Sequence, residues 1–233
     1  MAREVRLRLP GMEESAVREA YRVLRTNIEF CGADTRTIAI TSAGPDEGKT
    51  TISICLAASL AELGKRVLLV DTDMRKSVLA SRYSDVQRPC GLRELLSGQC
   101  KMADVLYCAQ HPRIDIVFSG RCPPNPAELL SGSFFDQFLA LAKENYDYIL
   151  LDTAPLGEVV DAAVAASKCD GALLVIGEGL CAPRAQEALR MLQKNGCRVL
   201  GAVMNQTGSK KAGCESRHRR CARFDKCFRM AEK

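Results

Sequence analysis

Six short runs dense in Val, Ile, Leu and Ala punctuate this chain, over residues 37–41, 66–70, 114–118, 148–151, 171–176 and 198–204. Their apolar residues are consecutive rather than alternating, the pattern of strands buried on both faces of a parallel sheet. Between the runs, apolar residues recur at helical spacing over 51–63, 134–144, 159–167 and 183–195, the last closed by Gly196. A further amphipathic helix is predicted over 13–29, ahead of the first strand. Repeated strand–helix units imply an α/β fold with one open, doubly wound, mostly parallel sheet, whose ligands bind at the carboxyl ends of the strands. No internal repeat, low-complexity tract or linker interrupts the pattern. The expected organisation is an N-terminal helical arm over 1–36, a nucleotide-binding domain over 37–206 and a basic tail over 207–233.

Length adds that 233 residues suffice for one large core. The N-terminus lacks a charged segment leading into an apolar one, and no run approaches the roughly 18 apolar residues that cross a bilayer. A cytoplasmic protein is expected, touching a membrane only through its surface or a partner. The twelve cysteines form no disulfide framework by their spacing and are read as reduced thiols. Charge is unevenly placed. Residues 207–233 hold nine basic and three acidic side chains, a net +6, which leaves −1 of the total +5 for residues 1–206.

The candidate chemistry begins at Ser42-Ala43-Gly44-Pro45-Asp46-Glu47-Gly48-Lys49-Thr50, between a predicted strand and a predicted helix. A small-residue loop ending in Gly-Lys-Thr at a helix start is the layout of a nucleoside-triphosphate phosphate cradle. Its backbone amides surround phosphate, Lys49 reaches the β- and γ-phosphates, and the Thr50 hydroxyl coordinates Mg²⁺. Ala43 stands where the usual pattern begins with glycine, a departure a turn without positive φ accepts. The expected cofactor-binding set is Gly44, Pro45, Asp46, Glu47, Gly48, Lys49, Thr50, Thr51 and Asn205.

Two more strands end in carboxylates. The run 66–70 leads into Asp71-Thr72-Asp73-Met74-Arg75, and 148–151 leads into Asp152-Thr153-Ala154-Pro155. Phosphoryl transfer needs a divalent cation between phosphates and a group that orients or deprotonates the nucleophile. Lys49, Asp71, Asp73 and Asp152 are therefore the catalytic candidates, and Thr50, Asp73 and Asp152 the Mg²⁺ ligands. A strand-terminal Asp is often only a helix cap, but three on two strands beside a phosphate loop favour the site.

These motifs resemble those of the bacterial protein-tyrosine kinases of capsule and exopolysaccharide synthesis, which adapt a P-loop ATPase fold with deviant Walker motifs. Pro45–Thr50 matches that family's phosphate loop, Val67–Arg75 its second motif and Ile149–Pro155 its Walker B. Segments 91–98 and 123–130 are also similar, and the likeness spans about residues 15–206. The resemblance implies ATP and Mg²⁺ as cofactors, a protein tyrosine as substrate, a separate transmembrane activator and ring-like self-association. Glu19, Arg22 and Arg25 match the family's E-x-x-R-x-x-R, which implies an oligomerisation stripe; from spacing alone they are a solvated face with intrahelical pairs. The chain has five tyrosines and none after Tyr148, whereas relatives end in a tyrosine-rich tail.

Other readings follow from the same residues. A nucleotide-gated assembly ATPase or scaffold of the polysaccharide machinery would need no acceptor tyrosine. A partitioning-type ATPase would carry a signature lysine where Gly44 stands. In the tail, Cys214, His218, Cys221 and Cys227 lack the paired spacing of common zinc sites. Its Cys221, Phe224, Phe228 and Ala231 fall on one helical stripe flanked by arginine and lysine, suited to an anionic membrane surface. With no aromatic-interleaved platform there, nucleic acid is not an expected partner.

Overall fold

The computed structural model describes residues 3–87 and 89–205. The tail 207–233, with its expected membrane and metal chemistry, lies outside the described residues. In chain order the first elements are β1 (Arg3–Val5), α1 (Ser15–Phe30), β2 (Thr37–Ser42), α2 (Lys49–Ala61), β3 (Val67–Asp71) and α3 (Leu79–Tyr83). Then follow α4 (Leu92–Leu96), α5 (Met102–Val105), β4 (Leu106–Gln110), β5 (Arg113–Val117), α6 (Pro126–Ser131) and α7 (Ser133–Asn145). The last are β6 (Tyr148–Asp152), α8 (Asp161–Ser167), β7 (Gly171–Gly177), α9 (Ala182–Lys194) and β8 (Val199–Asn205).

One sheet carries all these strands in the order β1-β4-β5-β3-β6-β2-β7-β8. It is parallel from β5 to β8, while β4 runs antiparallel to β5 and β1 lies parallel to β4. The consecutive apolar runs have their expected cause: β2, β3 and β7 are buried along their whole length. Helices cover both faces. Ile38, Ile40, Leu69, Leu150 and Val175 face α2, and α1 packs over α2. Leu68, Val70, Ile149 and Leu151 meet Phe135, Phe138 and Leu139 of α7 on the opposite face. Ala39, Ala172 and Leu174 pack there against the alanine-rich α8 and α9.

The order sets β2 in the interior of the sheet, between β6 and β7, with β3 beyond β6 and β8 beyond β7. Helix α2 is therefore enclosed: Ile52 through Leu60 are all buried. A helix apolar all round belongs under a second layer, and α1 supplies it.

Residues 3–36 do not stand apart as an arm. Strand β1 joins the main sheet beside β4, and Tyr21 and Ile28 of α1 are buried against α2. The physical reason is that α2 has an apolar outer face, over which α1 packs. Strands β1 and β4 are absent from the sequence reading, and the short helices α3 to α6 lie in segments too brief for periodicity to register. Where helices were expected, boundaries moved by a turn or less, as at α2, which begins at Lys49 rather than at residue 51.

Candidate active site

Side-chain alternation decides which face the acids use. Ile38 and Ile40 in β2, Leu69 in β3 and Leu150 in β6 point to the α2 side. By the same parity so do Ser42, Asp71 and Asp152, the strand-terminal residues. Strands β3 and β6 pair in register, with Asp71 directly opposite Asp152. Helix α2 begins over this pair, so its N-terminal amides and dipole face the two carboxylates. The spacing of the strand ends, set by hydrogen-bond ladders, thus gathers one loop and two acids from three segments of chain.

The loop between β2 and α2 is shaped from within. Ser42 Oγ donates to the Gly44 carbonyl at 2.6 Å. Asp46 adopts φ +57° and Gly48 φ +89°, so the backbone curls twice through the left-handed region before the helix starts. Glycine is required at 48 on a second ground. A Cβ there would lie 2.0 Å from Asn205 Nδ2. That amide nitrogen instead donates to the Glu47 carbonyl at 3.0 Å, which ties the end of β8 to the loop. The Glu47 side chain is buried beneath the loop, facing the backbone of Ala43, Gly44 and Gly177. Burial raises its carboxyl above the ordinary range, and those amides oppose the shift. Glu47 therefore shapes the cradle from below.

Lys49 is buried at the helix start, close enough to Asp152 to stabilise its negative charge. The Thr50 hydroxyl also faces Asp152, and Ser53, one turn on, donates to Asp152 Oδ1 at 3.1 Å. Thr51 shares a 2.9 Å hydrogen bond with the Tyr83 hydroxyl, fixing α3 against the first turn of α2. On β3, Asp71 Oδ2 accepts a short hydrogen bond from Ser77 and Oδ1 one from the Asp73 amide at 3.2 Å. The Ser119 hydroxyl also faces Asp71. Asp73 accepts from the Arg75 and Lys76 amides at 3.3 and 2.9 Å, holding the turn after β3.

Electrostatics follow from that enclosure. Burial pushes the Asp152 carboxyl up to about 6, against the pull of Thr50, Lys49 and Ser53. Asp71 is driven well above the carboxylate range, first by burial and then by the neighbouring Asp152. Two buried acids facing each other across adjacent strands cannot both ionise cheaply without a cation. The donors here are hard oxygens, the kind Mg²⁺ takes, and a curled loop of backbone amides beside them suits phosphate. Thus the residues present fit a magnesium–nucleotide.

The structure brings together Lys49, Thr50, Asp71 and Asp152, with Asp73 at the rim and Asn205 sealing the loop. It also shows residues the sequence reading passed over. Ser53 lies four residues beyond Lys49, a spacing that could have found it. Ser77 follows Arg75 by two, with no pattern to announce it. Asp161 is invisible to any local rule, because only the topology carries it to Arg75, which it grips through Nε at 2.6 Å and Nη2 at 3.3 Å. Of the proposed oligomerisation stripe, Glu19 and Arg22 form an exposed pair at 3.3 Å. Arg25 turns inward and donates to the Ser59 carbonyl of α2 at 2.6 Å.

A doubly wound sheet with a Gly-Lys-Thr loop entering a central helix, opposite strand-terminal acids, defines a P-loop nucleotide-binding domain. Residues 35–195 match the family model described as an AAA domain. Tyrosine-protein kinase CpsD of Streptococcus agalactiae is 38% identical over 195 residues, covering 83% of this chain and 85% of that protein. The kinase domain of Escherichia coli tyrosine kinase ETK superposes with a TM-score of 0.79 at 32% identity, covering 87% of this chain and 82% of that one. The septum site-determining protein MinD of Pyrococcus horikoshii, solved with Mg-ADP, gives a TM-score of 0.63 at 27% identity, covering 78% and 75%. The chain belongs to the bacterial tyrosine-protein kinase family.

Proposed function

We propose that this chain is an ATP-dependent protein-tyrosine kinase that regulates capsule or exopolysaccharide synthesis. The observation that carries the reading is the in-register pair Asp71 and Asp152 beneath the start of α2, with Lys49 between loop and acids. When bound, Mg²⁺–ATP supplies the phosphoryl group and the cation that offsets the two carboxylates. Thr50 and Asp152, with Asp73 at the rim, would hold the metal, and Gly44 through Thr51 the phosphates.

The chain's own groups divide the work by environment. Lys49, fixed at the first turn of α2, neutralises charge that builds on the transferring oxygens. Asp71, raised above the usual range by burial and by the neighbouring Asp152, is the group assigned to take a proton from an incoming phenol. Asp152 is held by Ser53 and faces Thr50, so its oxygens are fixed before any ligand arrives. Such positioning lowers the reorganisation that transfer requires.

The acceptor phenol is an internal tyrosine or belongs to another polypeptide, and the described residues favour the second: Tyr21, Tyr107 and Tyr146 are buried, the Tyr83 hydroxyl is engaged by Thr51, and Tyr148 begins a strand. Among the described residues no helix is long and apolar enough to cross a membrane. A transmembrane activator that recruits the kinase to the inner face of the membrane suits this, and the +6 charge of 207–233 suits an anionic surface. Self-association through the α1 stripe would rest on Glu19 and Arg22.

The test is phosphotyrosine mapping after incubation with Mg²⁺–ATP, the membrane activator and candidate substrates, for wild type and Lys49→Met. Wild type should label a partner protein, and Lys49→Met should lose at least about a hundredfold in rate. Equal labelling by the two proteins would end the proposal.

A further inference from the structure

Away from the phosphate site, Cys90 and Cys100 bracket α4. Their thiols face each other, and both line an open cavity of about 240 Å³ together with Arg93, Glu94, Gln99 and Arg121. Both cysteines are partly exposed, so the pair is reachable from solvent. We propose that Cys90 and Cys100 are a dithiol modification site that closes to an intramolecular disulfide on exposure to a hydroperoxide. The two S–H bonds and the O–O bond break, one S–S bond forms, and an alcohol and water leave. The sulfurs together lose two electrons, which the peroxide takes up.

The surroundings favour pairing over overoxidation. Nine residues lie between the partners, so closure needs no distant segment to move. Arg93 and Arg121 at the cavity wall place positive charge beside the pair. Burial and the neighbouring Cys100 push the Cys90 thiol up to about 11, so the reaction accelerates as pH rises.

A continuous series of contacts links the pair to the carboxylates. Gly91, next to Cys90, donates to Glu94 at 3.0 Å, and Glu94 also accepts from the Arg121 amide at 3.3 Å. Leu92 and Arg93 donate their amides to the carbonyls of Phe118 and Ser119 at 2.7 and 3.0 Å. Ser119 then faces Asp71 through its hydroxyl. There is no slack in this joint: a Cβ on Gly91 would lie 2.2 Å from the Phe118 carbonyl and 2.4 Å from the Gly120 amide. Bond formation must draw the two sulfurs together, and α4 moves with them. Displacement of Ser119 then disturbs Asp71, with a loss of turnover on the order of tenfold.

The experiment treats the full chain with hydrogen peroxide at mildly alkaline pH, blocks remaining thiols and maps peptides by mass spectrometry before and after dithiothreitol. A Cys90–Cys100 link, with ATP turnover that falls and returns on reduction, is expected. Cys90→Ser and Cys100→Ser should keep basal turnover and lose its sensitivity to peroxide. If both thiols of oxidised wild type are recovered alkylated, or joined to other cysteines, the proposal is overturned. The mapping needs no variant, so a serine protein that fails to fold leaves the test intact.

Discussion

Removing the charge of Asp152 should stabilise the ligand-free protein while destroying its use of nucleotide. The carboxyl is 2% exposed and its pKa is pushed from 3.8 up to about 6. That gap corresponds to about 3 kcal/mol held against the folded state when the acid is ionised. The sign follows from the direction of the shift. A raised folded pKa favours the native state fully below the unfolded value, and that favour is lost as pH rises through about 6. Asp152→Asn cannot ionise and still accepts from Ser53, so it escapes the penalty. Imperfect replacement of one carboxylate oxygen by an amide takes back part of the gain, leaving a net advantage of about 1–3 kcal/mol near pH 8. Urea unfolding followed by circular dichroism, in chelator and across pH, measures it. The advantage should vanish below about pH 4, grow from there to about pH 6 and then level off. Saturating Mg²⁺–ATP at about a hundredfold over its Kd should stabilise wild type by about 2.7 kcal/mol and the variant by much less. A variant less stable than wild type at the alkaline end, or a difference that ignores pH, would refute the argument.

Other substitutions probe single contacts. Gly48→Ala should abolish nucleotide binding in a fluorescent-nucleotide titration, since φ +89° and the contact with Asn205 both oppose a side chain. Tyr83→Phe removes the 2.9 Å bond to Thr51 and should cost about 0.5–1.5 kcal/mol in denaturant unfolding, with a smaller effect on turnover than Lys49→Met. Arg75→Ala leaves the buried Asp161 without its partner and should lower Tm, and adding Asp161→Asn should recover much of the loss.

The sequence was legible where a local rule had a local cause. Consecutive apolar runs marked the buried parallel strands because burial on both faces removes alternation, and the motif ending in Lys49 and Thr50 marked the curled loop between β2 and α2. Asp71 and Asp152 could be placed at strand ends, but their mutual contact depends on β3 lying beside β6, which spacing along the chain does not encode. The bond from Asn205 to Glu47 spans most of the domain for the same reason. Strand β1 was missed because three residues carry no periodicity, and its place in the sheet comes from pairing with β4. Arg25 reads as a surface charge on its helix, yet the carbonyl of Ser59 lies within reach once α1 docks. Glu47 sits in the motif expected to bind cofactor, and its buried side chain faces the loop's own backbone.

The tie between Asn205 and Glu47 has a mechanical meaning. Strand β8 lies parallel to β7 with its last residue paired to Gly177, and the chain continues from that residue into the segment of highest positive charge. Tension applied beyond Asn205 loads the β7–β8 ladder in shear, the direction in which many hydrogen bonds resist together. The amide at the strand's end shares that load with the ladder, and its other anchor is the carbonyl of Glu47 in the loop. Force applied beyond β8 is therefore delivered in part to the loop between β2 and α2, making β8 a tether to that loop.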